Sequence, residues 1–300
     1  MSREIQSIGF VVVAFRNDID QLKVLCNSLL SAAHSLNFRP KVILVLNDNS
    51  IFPDIPHVDI IQGHGNIGFA AGIKKGVLAS SDDYTVLVNP DCRPEDEEFK
   101  KFLNEIAPGR GILIPMLHKS SGDFDYMPYE NWTFTLGRMT SARLCRRLPA
   151  TNEGSLPKYA KISGAFVGME RQKALDLDAP FDTAFFLYAE DRDMTDRVRA
   201  AGIPISLLKN VHITHDGGES GKSVSELVAR CKADGSLRVA YRRYGRAGAL
   251  VFTVDQWLFD NLKRLLGRPS PRRANAWSAD RWRRARFSDP GPLTQELLGN

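Results

Sequence analysis

No run in this 300-residue sequence is apolar over the roughly 18 residues that a bilayer-spanning helix requires. Cysteine is scarce: Cys26, Cys92, Cys145 and Cys231 lie far apart and form no C-x-x-C pair. That argues against a zinc knuckle and against a disulfide framework, and for a reducing compartment. The N-terminus carries Glu4 and passes at once into a strand-like run, unlike a secretory signal. These absences predict a cytoplasmic chain, or one peripheral to the inner face of the cytoplasmic membrane. Internal repeats are also lacking. What is present is ordinary for a globular protein: 43% hydrophobic and 25% charged residues are enough to bury a sizeable core. The net charge of +5 is mild, but arginine concentrates late, at 264, 268, 272, 273, 281, 283, 284 and 286.

Strand and helix signals alternate through the first hundred residues. Ile8–Phe15 is β-branched and almost continuously apolar, as in a strand buried on both faces of a parallel sheet. A helix is expected over 19–36, strands over 41–46 and 58–62, a helix over 69–80 and a strand over 84–88. This is the signature of a parallel α/β sheet, whose ligands bind beyond the carboxyl ends of the strands. The polar residues Arg16, Asn17, Asp48, Asn66 and Asp91 fall at those ends. From 111 to 155 the pattern is irregular and reads as a loop-rich segment or an antiparallel extension. Strand character resumes over 162–169, a helix is expected from about 190 to 201, strands at 205–208 and 211–215, and mainly helix after Ser223.

Four motifs carry chemistry. Gly63-His64-Gly65-Asn66-Ile67-Gly68 spells G-x-G-x-x-G, but it follows the third strand, whereas a dinucleotide fingerprint belongs after the first. A tight turn without ligand explains it better. Asn89-Pro90-Asp91 closes an apolar strand; it is either an Asx-Pro turn or a carboxylate placed to hold a divalent cation. In Glu190-Asp191-Arg192-Asp193, helical periodicity puts Asp191 on the stripe of Met194, Val198 and Ala201, facing the protein. A carboxylate there requires a partner or a task, the alternative being favour from the helix dipole. Asp193 is accounted for by an i,i+4 surface pair with Arg197. His215 enters a Gly217-Gly218 loop, as a structural residue or as a metal or phosphate contact.

In their order and spacing these pieces resemble family 2 glycosyltransferases of the GT-A fold, particularly the bacterial rhamnosyltransferase-like branch. The resemblance covers about 8–220. It rests on Val12-Val13-Ala14-Phe15-Arg16-Asn17, Asn47-Asp48-Asn49-Ser50, Gly65-Asn66-Ile67-Gly68-Phe69-Ala70-Ala71-Gly72 and Leu87-Val88-Asn89-Pro90-Asp91. In the second half it rests on Ser163-Gly164-Ala165-Phe166, Pro180-Phe181-Asp182, Phe185-Phe186, Tyr188, Glu190-Asp191-Arg192-Asp193 and His215-Asp216-Gly217-Gly218-Glu219-Ser220. It implies a mixed α/β sheet flanked by helices, Rossmann-like and built for a nucleotide-diphospho-sugar. Residues 1–225 would form the catalytic domain, with a nucleotide-sugar half over about 1–110 and an acceptor half over about 111–225. Residues 226–300 would be a helical basic C-terminal extension.

The implied chemistry is inverting transfer with Asp191 as general base and Mg²⁺ or Mn²⁺ held by Asp91 and His215. Phe15 and Asp48 would contact the nucleotide base, within a substrate-binding set that also takes in Ala14, Asn17, Asn66, Gly68, Lys74, Asn89, Gly164 and Glu190. Glu190 would bind acceptor or support the base. Lys74, standing where the family has an amide, either makes a charged contact or faces solvent. The favoured donor is dTDP-rhamnose and the acceptor a glycan or lipid-linked glycan of a cell-surface polysaccharide. The departures at Asn89, Ile73-Lys74 and Thr183 weaken the donor assignment more than the reaction class. They also leave room for a non-catalytic sugar-nucleotide-binding subunit; an NAD(P)-dependent oxidoreductase is the other rival. From Arg238 onward basic and aromatic residues alternate, which fits either an anionic membrane surface or a helix packed on the catalytic domain. No nucleic-acid partner is expected, since no recognisable module accompanies the charge.

Overall fold

A computed structural model of the chain describes residues 4–122, 132–135, 156, 160–216 and 225–267. Four parallel strands form one side of an eight-stranded sheet: β1 (Ser7–Ala14), β2 (Arg39–Leu46), β3 (Val58–Ile61) and β4 (Tyr84–Val88). Between them run α1 (Ile19–Ser35) and α2 (Phe69–Ala79). Asp18 caps α1 by accepting the N–H groups of Asp20 and Gln21 at 2.9 and 3.0 Å. Alternate residues of β1 enter separate cores. Phe10 and Val12 pack with α1 and with Phe99 and Phe102 of α3 (Asp96–Asn104), whereas Val11 and Val13 pack with Ile73 and Val77 of α2. Burial on both faces is why this strand reads as an unbroken apolar run.

The remaining strands are β5 (Cys92–Arg93), β6 (Ile112–His118), β7 (Phe166–Glu170) and β8 (Ile205–His215), and the sheet order is β3-β2-β1-β4-β7-β6-β8-β5. β7 is antiparallel to both β4 and β6, β6 and β8 are parallel, and β5 runs antiparallel to the end of β8. The helices α4 (Arg171–Asp176) and α5 (Glu190–Ala200) follow β7, and α6 (Ser225–Leu265) follows β8. This topology fixes the site. The carboxyl ends of β1, β2, β4 and β8 and the amino end of β7 all lie along one edge of the sheet.

Two sequence expectations change here. The stretch expected to be irregular from 111 begins with a regular buried strand, β6, and the two strands expected over 205–215 are one strand. Both differences have one cause. Pro115 offers no N–H to a ladder, and the β6–β8 register slips beside it, from Pro115 opposite Leu208 to Met116 opposite His212. The proline and the polar Lys209-Asn210 interrupt the pattern without ending either strand. Much of 123–159 and residues 217–224 lie outside the described residues, as do 268–300, including Trp277 and Trp282.

The first half of α6 is bound to α5 by charge. Arg242 donates to Asp193 and to Asp182, both at 2.7 Å, Arg243 donates to Asp196 at 2.6 Å, and Arg192 donates to Ser236 at 2.8 Å. Arg238 is fully buried, with its Nε donating to Asp234 at 2.8 Å. The expected Asp193–Arg197 pair forms at 2.8 Å but is no surface pair: Asp193 is buried and shared between Arg197 and Arg242. The helix then breaks at Gly245, at φ 64° and ψ −154°.

The close seating of α2 on β1 generates a stability prediction. A Cβ added at Gly76 would stand 2.3 Å from Val11 Cγ1, inside the sheet core. Gly76→Ala should therefore lower stability by about 1–3 kcal/mol in urea unfolding, the usual cost of overpacking, although alanine is the better helix former. An unchanged midpoint would contradict this packing.

Candidate active site

Along that sheet edge, β1 ends in Ala14, whose carbonyl accepts the N–H of Asn47 at 2.8 Å. Phe15 and Asn17 form a tight turn in which Asn17 Oδ1 accepts the Phe15 N–H at 3.0 Å. Arg16, in the left-handed region at φ 56°, gives its N–H to Asp48 and lays its guanidinium 5.0 Å from the centre of the Phe15 ring. Partial burial raises the Asp48 carboxyl's proton affinity, but the Ser50 hydroxyl, the N–H groups of Arg16 and Ser50 and the Arg16 charge outweigh it, leaving the group below its ordinary value. Arg16 thus links an aromatic face, Phe15, to an ionised acceptor, Asp48.

The buried Asn47 donates its amide to the carbonyl of Gly68 at 2.9 Å, and Asn66 accepts the N–H of Gly68 at 3.0 Å. Gly68 takes φ 87°, and a Cβ there would meet the carbonyl oxygen of Phe186 at 2.5 Å. The same carbonyl accepts the first N–H of α2, from Phe69, at 2.8 Å. A dinucleotide fold needs that helix terminus for pyrophosphate; here the protein occupies it, so the G-x-G-x-x-G spelling is a turn between an edge strand and a helix. Lys74 lies apart from this cluster, pairing with Asp178 at 2.6 Å.

At the end of β4, Asp91 Oδ1 lies 3.2 Å from Nε2 of His215, and the Asn89 amide nitrogen lies 3.4 Å from the same atom. The pairing of Cys92 with His215 brings these segments together. Oδ1 of Asn89 is buried without a hydrogen-bond donor, and Oδ1 of Asp91 is buried with the His215 ring as its neighbour. A carboxylate and an imidazole on one spot, with the Asn89 amide beside them, suit a divalent cation. Among the described residues no group of three His, Cys, Asp or Glu side chains is arranged to hold a metal.

Gly164 and Ala165 bring the second half of the chain to this point. The Ala165 carbonyl accepts the Asn89 N–H at 2.8 Å, and an added Cβ at Gly164 would stand 3.8 Å from Cβ of Asp191. Asp191 is buried near the amino end of α5, with its carboxylate on the Lys161 ammonium. Its carbonyl accepts from Thr195, whose hydroxyl oxygen accepts the Ile162 N–H at 2.9 Å. The inward direction read from helical periodicity is observed for Asp191, Met194 and Val198, whereas Ala201, at the helix end, is exposed. The turn into α5 is strained: Tyr188 and Ala189 both adopt positive φ, 68° and 75°.

Sequence reasoning missed Lys161, Asn47, Phe186 and Arg242. Lys161 and Arg242 contact their carboxylates across 30 and 49 residues, a pairing no local pattern encodes. Asn47 had one signal, its place at a strand end beside Asp48.

Glu190 is also buried, with Oε2 unpartnered. Burial, then the neighbouring Asp191 charge, pushes its carboxyl up to about 8. A raised acid holds its proton more tightly in the fold than in the unfolded chain. Its contribution to stability is therefore full below the ordinary value of 4.5 and is lost as pH rises through about 8. Thermal unfolding of the native chain should show a falling midpoint across that window, and Glu190→Gln should flatten the slope. Equal slopes in both proteins would contradict a buried neutral Glu190.

Residues 10–156 match the profile of Glycosyl transferase family 2. No curated protein matches the chain. Among solved structures, GalNAc-T7 crystallised with UDP, GalNAc and Mn²⁺ superposes with a TM-score of 0.55 at 12% identity, over 89% of this chain and 55% of that one. The chain thus spans little more than half the length of that neighbour. S. aureus TarS, residues 1–349, gives a TM-score of 0.49 at 13% identity, over 87% of this chain and 78% of that one. The matched segment holds the Asp48 and Asp91 turns. Residues 10–156, just under half of the chain, thus match glycosyl transferase family 2, and the fold is that of a GT-A glycosyltransferase.

Proposed function

We propose that this glycosyltransferase inverts the anomeric centre of a nucleotide-sugar in a single displacement, with Asp191 as general base. One observation carries the reading: a buried carboxylate at the start of α5 stands across Gly164 from the strand end that bears Asn89 and Asp91. In-line displacement would put the base and the leaving group on opposite sides of the anomeric carbon, and this proximity supports that arrangement.

In this reading the donor's base lies on Phe15 and against Asp48, and its diphosphate reaches the Asp91–His215 pair. Those two residues, with the Asn89 amide oxygen, would hold Mg²⁺ or Mn²⁺. The ion would supply positive charge that offsets the charge left on the departing diphosphate. GalNAc-T7, which shares the fold, was crystallised with UDP and Mn²⁺, which supports a divalent ion here. As the acceptor hydroxyl oxygen bonds to the anomeric carbon, its proton passes to an oxygen of Asp191 and the bond to the diphosphate oxygen breaks. The Lys161 ammonium orients Asp191 before acceptor arrives. Glu190, carrying its proton, lines the site without adding a second negative charge.

The favoured donor is dTDP-rhamnose, and the acceptor a glycan or lipid-linked glycan made at the inner face of the cytoplasmic membrane. These choices rest on the sequence resemblance. A thermal-shift screen of nucleotide sugars with and without Mn²⁺ tests them: dTDP-sugars should shift the midpoint more than UDP- or GDP-sugars, and a preference for either of the latter overturns the donor.

Asp191→Asn keeps the shape and removes the base. It should cut kcat by about a hundredfold or more, within the range usual for general base catalysis, while donor binding is retained. Transfer within a few-fold of the native rate would exclude Asp191 from that role.

A further inference from the structure

Beyond the Gly245 break, the second half of α6 presents an apolar face that nothing among the described residues covers. Leu250, Val254, Trp257, Leu258, Leu262 and Leu265 are each 43–84% exposed. At 3.6 residues per turn they fall within an arc of roughly 140°, so they form one continuous stripe and not scattered surface residues. The opposite side is the one that packs: Ala249 and Phe252 join Leu237 and Ala240 in a small core.

The charges around this stripe are one-sided. Residues 246–266 contain only two carboxylates, Asp255 and Asp260. Asp255 turns inward to accept the N–H and hydroxyl of Thr135, at 3.1 and 2.7 Å, and Asp260 is buried. The stripe itself therefore carries no acid and the half-buried Asp255 at its border is engaged by Thr135, while Arg246 and Arg264 are exposed and Lys263 rests 4.5 Å from the centre of the Phe259 ring. The sequence after Gly267 adds seven arginines and a single aspartate by residue 286. No helix among the described residues is long and apolar enough to cross a membrane.

We propose that the Leu250–Leu265 face of α6 docks on an anionic lipid surface, lying in the interface with its apolar stripe among the acyl chains and its cations at the headgroups. Leucine and tryptophan on one side with cations at the flanks is the composition of an in-plane interfacial helix. A protein partner of matching chemistry would need acidic groups around an apolar groove; a bilayer with anionic lipid supplies both everywhere on its surface. The proposal revises the sequence expectation of a basic face starting at Arg238. Arg238, Arg242 and Arg243 are engaged with carboxylates, so the docking face starts after Gly245 and is apolar first, cationic second. Because the first half of α6 grips α5, a docked α6 would hold the Asp191 end of the site near the lipid surface. That extends the lipid-linked acceptor reading without depending on it.

The test is co-flotation of the full chain with vesicles of phosphatidylcholine containing phosphatidylglycerol, and with phosphatidylcholine alone. The native chain should float with the anionic vesicles, and less so with neutral ones or at high salt. Leu258→Glu with Leu262→Glu should weaken partition by about a hundredfold, since each leucine loses its burial in hydrocarbon. Leu265→Glu, at the most exposed position, should weaken it by about tenfold. Unchanged unfolding midpoints and donor-induced thermal shifts would show that the variants fold and bind donor. Native protein that stays unbound, or variants that float equally well, would overturn the proposal. So would a native dimer in sedimentation that the double variant splits without any flotation, because a second copy would then cover the stripe. Flotation reads docking whether or not sugar is transferred, so its failure leaves the transferase reading standing.

Discussion

The site depends on one backbone hydrogen bond, from Asn89 N–H to the carbonyl of Ala165. It extends the antiparallel β4–β7 ladder past the last strand pair, Val88 with Phe166, into the turns that carry the chemistry. On one side of it Asn89-Pro90-Asp91 leaves the sheet toward His215. On the other, Gly164 has no side chain between β7 and Asp191. Had β7 joined parallel, its amino end would lie at the far edge, and the two carboxylates would be separated by the length of the strand. Antiparallel insertion into a parallel sheet is what lets the 75 residues between Asn89 and Ala165 return to the same point.

The second dependence is electrostatic. α5 brings Asp191 and Glu190 into a buried setting and also carries Asp193 and Asp196. Several carboxylates on one short helix would repel each other without cations. The structure supplies Lys161 to Asp191, Arg197 and Arg242 to Asp193, and Arg243 to Asp196, while burial keeps a proton on Glu190. Breaking a buried pair by removing one partner is expensive, so α6 is part of the site's support and not a detachable tail as far as Gly245. Truncation at Arg238 would remove that support along with the apolar contacts of Leu237 and Ala240.

Much of this was legible in sequence where the physics is local. The parallel strands announce themselves because both faces are buried, and the turn residues after them are polar because the edge is open. Periodicity placed Asp191 inward because its neighbours Met194 and Val198 had to be inside. What escaped is non-local or masked by a local exception. Pro115 hid β6, since a proline counts against a strand unless the partner's register slips to meet it. Asp193 looked like a surface residue because Arg197 satisfied it within the helix, and only α6, 49 residues on, shows that it is buried. Lys161 carries no pattern that points at Asp191.

One base implies one displacement, and hence a defined stereochemical outcome. The direct measurement is the anomeric configuration of the transferred sugar, read by NMR from its coupling constants, with a donor of defined configuration. The geometry predicts inverted configuration in the product. Retention would contradict it, because retention needs two displacements at the anomeric carbon, and Asp191 as base provides for one.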